Sequence, residues 1–165
     1  IVWLLILMFS ATLTGSIISN YEHAFEVMPV LVSFIPMLMD TGGNCGSQSS
    51  TLIIRGLAID EIKFSDFFKV VFKEFRISIV VGIMLGIANG IRIVLLNHDV
   101  YLAFVVSASI VVTVMISKFV GCTLPIIAKK FKMDPAIMAA PLITTIVDTL
   151  AIMVYFAIAS QVFNI

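Results

Sequence analysis

Five long apolar runs, cut by short polar segments, dominate the chain, at about residues 2–19, 27–56, 77–96, 100–128 and 135–163. A helix that crosses a bilayer needs about 20 apolar residues. Five such helices take about 100 apolar residues, and 61% of 165 residues supplies about that number. Little chain is left over for a soluble domain. Charged residues make up only 12% of the sequence, about half the share a soluble domain carries. That deficit argues against a soluble enzyme, a disordered chain and a basic nucleic-acid binder. The expected fold class is an all-α membrane protein with five transmembrane helices, residues 1–165 forming one transmembrane domain.

Ten basic and ten acidic residues cancel, so only their placement is informative. Arg55, Lys63, Lys69, Lys73 and Arg76 lie between the second and third runs, and Lys129, Lys130 and Lys132 between the fourth and fifth. The connection between runs one and two has no Lys or Arg, and the one between three and four has only Arg92 nearby. Basic loops face the cytoplasm. The alternation therefore predicts a cytoplasmic N-terminus and an outer C-terminus in the cell membrane. The chain starts at Ile1 inside an apolar run, without a basic leader or a small-residue cleavage site. It reads as a fragment whose upstream part is missing, not as a signal peptide. Cys45 and Cys122 form no metal-ligand spacing and no disulfide framework.

Within residues 60–76, Asp66, Lys69, Lys73 and Arg76 recur at helical spacing opposite Phe64, Phe67, Phe68, Val71 and Phe75. This predicts an amphipathic helix lying on the cytoplasmic interface. It either covers the rim of the bundle or docks a cytoplasmic domain. Gly82, Gly86 and Gly90 put a small residue at every fourth position, the pattern of close helix packing or of a dimer seam. Trp3, Tyr101 and Tyr155 near run ends fit interfacial anchoring. The nine Met residues read as packing, and His23 and His98, in outer loops, receive no role.

A charge held at the bilayer centre costs at least ~2.5–3.5 kcal/mol, which makes such residues functional candidates. Asp148 is the sharpest of them. Pro141, Thr144 and Asp148, spaced three and four apart, share a face of the fifth run, with Thr145 beside them. Pro141 withholds a donor and loosens the helix, and carbonyls freed there can face a water-filled path. Carboxylate, hydroxyl and carbonyl oxygens are hard ligands suited to Mg²⁺ or Ca²⁺. The bland alternatives are an Asp148 paired with a buried base such as Lys118, or a protonated, hydrogen-bonded one. In the second run, Asp40, Asn44 and Gln48 are spaced four apart, with Ser47 and Thr51 alongside. Gly42, Gly43 and Gly46 remove bulk around this polar stripe, for a narrow pore or for tight packing. The Gly42-Gly43-Asn44 segment is expected to interrupt the helix. Lys118 is expected to snorkel to the cytoplasmic interface and to stay off any cation path. Asp134-Pro135 is a helix-start signal for the fifth run.

The segment Pro36-Met37-Leu38-Met39-Asp40-Thr41-Gly42-Gly43-Asn44-Cys45-Gly46-Ser47-Gln48-Ser49-Ser50-Thr51, continuing through Leu52-Ile53-Ile54-Arg55-Gly56, resembles a signature of the MgtE family of magnesium channels. A second block, Asp134-Pro135 to Pro141-Leu142-Ile143-Thr144-Thr145-Ile146-Val147-Asp148, matches in the same order. The resemblance covers essentially the whole chain. It implies a homodimer with the pore on its twofold axis, lined by the second and fifth helices. It implies Mg²⁺ as the transported and bound ion, held by Asp148 with help from Ala140 and Thr144. Asp134, at the cytoplasmic entrance, matches an acidic position near a regulatory ion site. Pro36, Asp40, Gly42, Gly43, Asn44, Ser47, Gln48, Pro141 and Thr145 are the residues expected to line the path. The family's cytoplasmic N-domain and CBS domains, which sense Mg²⁺ and close the pore, have no counterpart in this chain.

The expected activity is therefore passive Mg²⁺-selective permeation. No phosphorylation motif or nucleotide loop points to a pump, and no enzyme activity is expected. A coupled secondary transporter is one alternative, although no internal repeat supports it. An intramembrane aspartyl protease using Asp40 and Asp148 is another, although the Tyr-Asp and Gly-x-Gly-Asp motifs of such enzymes do not occur. A purely structural packing role for the polar residues is a third.

Overall fold

In hydrocarbon every backbone N–H and C=O must find its partner within the spanning segment, so long apolar runs become helices. The computed structural model describes the backbone of residues 1–164, and the side chains of these except residues 2, 3 and 136–140. In chain order the elements are α1 (Val2–Ser19), a short α2 (Glu22–Val27), a 3₁₀ turn (Pro29–Phe34), α3 (Ile35–Ala58), a second 3₁₀ turn (Phe64–Asp66), α4 (Phe67–Asn97), α5 (Val100–Lys130) and α6 (Pro135–Phe163). No strand occurs among the described residues. Among the described residues, three helical segments are long and apolar enough to cross a membrane: Phe64–Asn97, Val100–Lys130 and Pro141–Phe163. α1 adds a shorter apolar helix, Leu4–Ser19. α3 carries too many polar residues to join that group by hydropathy.

Two expectations about the elements are corrected. First, α3 runs without a break through Gly42, Gly43 and Asn44. Glycine in a helix interior costs only about 1 kcal/mol relative to alanine. Here the missing side chains are used for packing: a Cβ on Gly42 would sit 2.7 Å from Val147 Cγ1 and 2.8 Å from Thr113 Cγ2. The break in the second run falls earlier, at Met28 and the 3₁₀ turn Pro29–Phe34. Second, residues 60–76 do not form a separate interfacial helix. From Phe67 onward they are the first turns of α4, which continues unbroken to Asn97. No proline or glycine lies between Phe67 and Ile77 to stop the helix, so the amphipathic segment and the apolar one merge.

α5 is the central helix, packed against α3, α4 and α6. Its inward positions include the small or polar Ser109, Thr113, Ser117, Gly121 and Thr123. α4 and α5 form an antiparallel hairpin over a tight turn. His98 takes a left-handed conformation (φ 54°) at the end of α4, and the Asp99 carboxylate accepts from Leu102 N at 2.9 Å to start α5. Gly82 and Gly86 lie on Val111 and Ser107 of α5, with a Gly82 Cβ coming 3.2 Å from Val111 Cα. The glycine row of α4 is thus a packing seam within the chain. Gly121 meets the Gly46 carbonyl, which brings α5 and α3 to backbone contact.

The core has two ends. At one, Leu31, Phe34, Leu38, Tyr155 and Phe156 are buried together. Tyr155 is fully buried and its hydroxyl donates to the Leu31 carbonyl at 2.9 Å. It is therefore a core residue and not the interfacial anchor expected from its place near a run end. Tyr101 is exposed, and Trp3 lies outside the described side chains. At the other end, Ile53, Leu57, Cys122 and Ile126 close α3 on α5. The outer face of α4, with Phe68, Phe72, Val80, Met84, Ile87 and Leu95 exposed, is apolar along its length. Such a face suits acyl chains.

Candidate functional site

α6 begins at Pro135, directly after Asp134, with proline at the first helical position where its missing N–H costs nothing. Asp134 itself is exposed. Further along, Pro141 sits inside the helix. The hydroxyls of Thr144 and Thr145 both donate to the Pro141 carbonyl, at 3.0 and 2.9 Å. Each threonine oxygen still offers lone pairs to a water or a hydrated ion. Ala140 lies outside the described side chains.

Asp148 is half-buried one turn beyond Thr144. Its Oδ1 lies 3.8 Å from the point where a side chain on Gly43 would begin, and Thr144 Cγ2 lies 3.3 Å from it. Gly43 therefore lets α3 close onto the part of α6 that carries the carboxylate. On its other side Asp148 opens into a crevice of about 280 Å³ shared with Leu7, Thr14, Met39 and Thr145. The Thr14 and Thr149 hydroxyls, 2.9 Å apart, bridge α1 to α6 beside it. Asp148 takes part in none of the ion pairs among the described residues.

The polar positions of α3 sort by burial. Pro36, Asp40, Asn44 and Gln48 are exposed, with Ser47 half-buried beside them. Thr51, also exposed, returns its hydroxyl to the Ser47 carbonyl at 2.8 Å. Positions 36, 40, 44 and 48 form one straight row along a helix. The row is exposed, on the helix whose Gly43 packs against Thr144 beside Asp148. Gly42 and Gly43, by contrast, are buried and face α5 and α6. Among the expected path residues, Gly43, Thr144 and Asp148 come together where α3 meets α6, and Asp40, Asn44 and Gln48 form an exposed row on the same helix as Gly43. Gly42 serves packing behind it.

Lys118 does not reach an interface. It lies about 18 Å along α5 from Lys130, at a rise of ~1.5 Å per residue, and is only 8% exposed. Its ammonium pairs with Glu74 Oε2 of α4 at 3.3 Å. The same oxygen accepts the Ser49 hydroxyl of α3. Lys118 is thus neutralised away from Asp148. Sequence reasoning passed over Glu74, although a signal was present. Glu74, Ser78, Gly82 and Gly86 are spaced four apart, so the glutamate belongs to the small-residue face that packs on α5 and not to the charged face of Lys69, Lys73 and Arg76.

Among the described residues, no three His, Cys, Asp or Glu side chains converge. Among the described residues, one chain thus offers a row of one carboxylate and two amides rather than a cage. A mostly apolar helical chain with such a row on its outward face is an integral membrane protein with a polar seam. More narrowly, the chain belongs to the MgtE family: the family described as "MgtE: Divalent cation transporter" matches residues 35–158. The magnesium transporter MgtE of Bacillus subtilis is 39% identical over 158 residues, covering 96% of this chain and 35% of that protein. The magnesium transporter MgtE of Thermus thermophilus is 33% identical over 157 residues, covering 95% and 35%. That of Enterococcus faecalis is 32% identical over 159 residues, covering 96% and 35%. The chain spans about a third of the length of these relatives.

Proposed function

We propose that this chain forms the pore of a passive, Mg²⁺-selective channel that imports divalent cations across the cell membrane. The observation that carries the reading is the outward-facing row Asp40–Asn44–Gln48 beside Asp148 on helices otherwise built for hydrocarbon. A row of carboxylate and amide groups is too costly to leave against lipid. A second copy of the chain, packed through the same face, encloses it and turns it toward water. α1 and α3 join the three apolar helices as spans, giving five per chain, with the N-terminus cytoplasmic and the C-terminus outside.

On a twofold axis every pore residue occurs twice. Two Asp148 carboxylates balance one divalent cation, lowering the cost of holding all three charges in the membrane. Mg²⁺ sheds water reluctantly. The ion is therefore captured with its waters, which donate to Asp148, to the Thr144 and Thr145 oxygens and to backbone carbonyls near Ala140. Asp40, Asn44, Ser47 and Gln48 carry the same hydrogen-bonding surface along α3. An inside-negative potential drives entry with about 4.6 kcal/mol per divalent ion per 100 mV, twice the ~2.3 per unit charge. Asp134 stands at the cytoplasmic mouth, at the position where the family resemblance implies a regulatory ion site and CBS domains. Asp148→Ala tests the assignment. The variant is expected to stay dimeric while Mg²⁺ binding and flux into liposomes fall at least tenfold, the scale of one lost charge contact of ~1.4 kcal/mol or more. Unchanged flux removes Asp148 from the path.

A further inference from the structure

The Ser49–Glu74–Lys118 contact is the one place among the described residues where three helices of the bundle meet through charged or polar side chains. Glu74 Oε2 receives both the Ser49 hydroxyl of α3 and the Lys118 ammonium of α5. All three residues are buried, with Ser49 at 0%, Glu74 at 6% and Lys118 at 8% exposure. Directly beside the contact, Gly121 of α5 lies on the Gly46 carbonyl, and a Cβ there would come 3.0 Å from Ser49 Cβ. The backbones of α3 and α5 therefore touch at this level.

A buried ion pair is a poor device for stability alone, because desolvation offsets most of its attraction and apolar residues of similar volume do as well. It is a good device for fixing register, since only one arrangement satisfies both charges and the hydroxyl. Ser49 is the neighbour of Gln48, and one residue turns a helix by about 100°. Holding Ser49 inward on α4 and α5 therefore sets which way Gln48, Asn44 and Asp40 point.

We propose that Glu74, with Lys118 behind it, is a positioning residue of the ion path. Through Ser49 it locks the rotation of α3 and aims the Asp40–Asn44–Gln48 row at the pore axis. Neither Glu74 nor Lys118 touches the ion. This assignment rests on the pore reading above, and its test includes Asp148→Ala so that the two fail separately.

The experiment compares Ser49→Ala, the double variant Glu74→Met/Lys118→Met and Asp148→Ala, each purified and placed in liposomes. Mg²⁺ flux per folded dimer, the half-saturating Mg²⁺ concentration and the melting temperature are read for each. Ser49→Ala keeps the ion pair and deletes only its hold on α3, so it is expected to stay folded, with the melting temperature lowered by the loss of one buried hydrogen bond to a carboxylate and by less than in Lys118→Met. Its flux per folded dimer is expected to fall by about fivefold or more and its half-saturating Mg²⁺ to rise, as in a site whose supporting shell is loosened. The double variant, which removes both buried charges together and so strands neither, is expected to show the same pattern. Parental flux and half-saturation in both variants overturn the proposal. So does a flux loss fully accounted for by lost folded protein. If Asp148→Ala keeps its flux, the pore reading fails whatever the other two do. If only Asp148→Ala loses flux, the pore reading stands and this inference falls.

Discussion

α3 and α4 each carry a polar row at spacing four, mixed with glycines, and the two rows have opposite fates. On α4 the row Glu74–Ser78–Gly82–Gly86 turns inward, and both of its polar side chains are matched: Glu74 meets Lys118 and Ser49, and Ser78 returns its hydroxyl to the Phe75 carbonyl at 2.7 Å. On α3 the row Asp40–Asn44–Gln48 turns outward, while the glycines behind it are buried on α5 and α6. Polar residues within a membrane helix are therefore not equivalent evidence. An inward row whose groups satisfy one another holds the bundle together. An outward row left open by its own chain is the surface that the proposed pore would use.

The largest expected effect on stability comes from breaking the inward row by one side only. Lys118→Met leaves Glu74 buried without its counter-charge and is expected to cost ~3–5 kcal/mol. Unfolding in detergent, followed by helical circular dichroism, measures it; a cost below about 1 kcal/mol would place the pair in contact with water. Next comes Gly121→Ala, whose new methyl falls on the Gly46 carbonyl and beside Ser49. Forcing α5 off α3 is expected to cost ~1–3 kcal/mol in the same assay. A smaller step is Tyr155→Phe, which removes the 2.9 Å bond to the Leu31 carbonyl. It is expected to cost ~1 kcal/mol with flux unchanged.

The smallest stability effects belong to the outward row. Asn44→Ala and Gln48→Ala are expected to change unfolding free energy by no more than ~0.5 kcal/mol, as exposed positions do. Yet both are expected to reduce Mg²⁺ flux, which no substitution of similar stability effect on the outer face of α4, such as Met84→Leu, is expected to do. Flux indifferent to Asn44 and Gln48 would erase the contrast between the two helices.

Much of this was legible in the sequence. The length of the apolar runs and the rule that backbone groups must pair in lipid give an all-helical chain. Asp148 stood out because nothing on its own face balances it, and the row on α3 followed from spacing alone. What spacing cannot give is direction. Asp40, Gly42, Gly43 and Asn44 are neighbours in sequence, but only the packing of Gly42 on Thr113 and Val147 shows which of them face inward. Glu74 was hidden because it sits among Lys69, Lys73 and Arg76, where a glutamate looks like one more interfacial charge. Lys118 was misread for a related reason: a lone lysine in an apolar run suits snorkelling until its partner on another helix is known. Tyr155 was misread because closeness to a run end says nothing about which side the ring takes.

The central claim is that the α3 row and Asp148 of two copies enclose one ion path. It is tested most directly by determining the structure of the protein in a bilayer mimic with Mg²⁺, and again with Mn²⁺ as a scattering marker. Ion density is expected on a twofold axis, flanked by the two Asp148 carboxylates through water, with Asp40, Asn44 and Gln48 of both chains facing the same axis. Copies that meet through another face, or an axis free of ion density with Asp148 turned toward the α1 crevice, would contradict it.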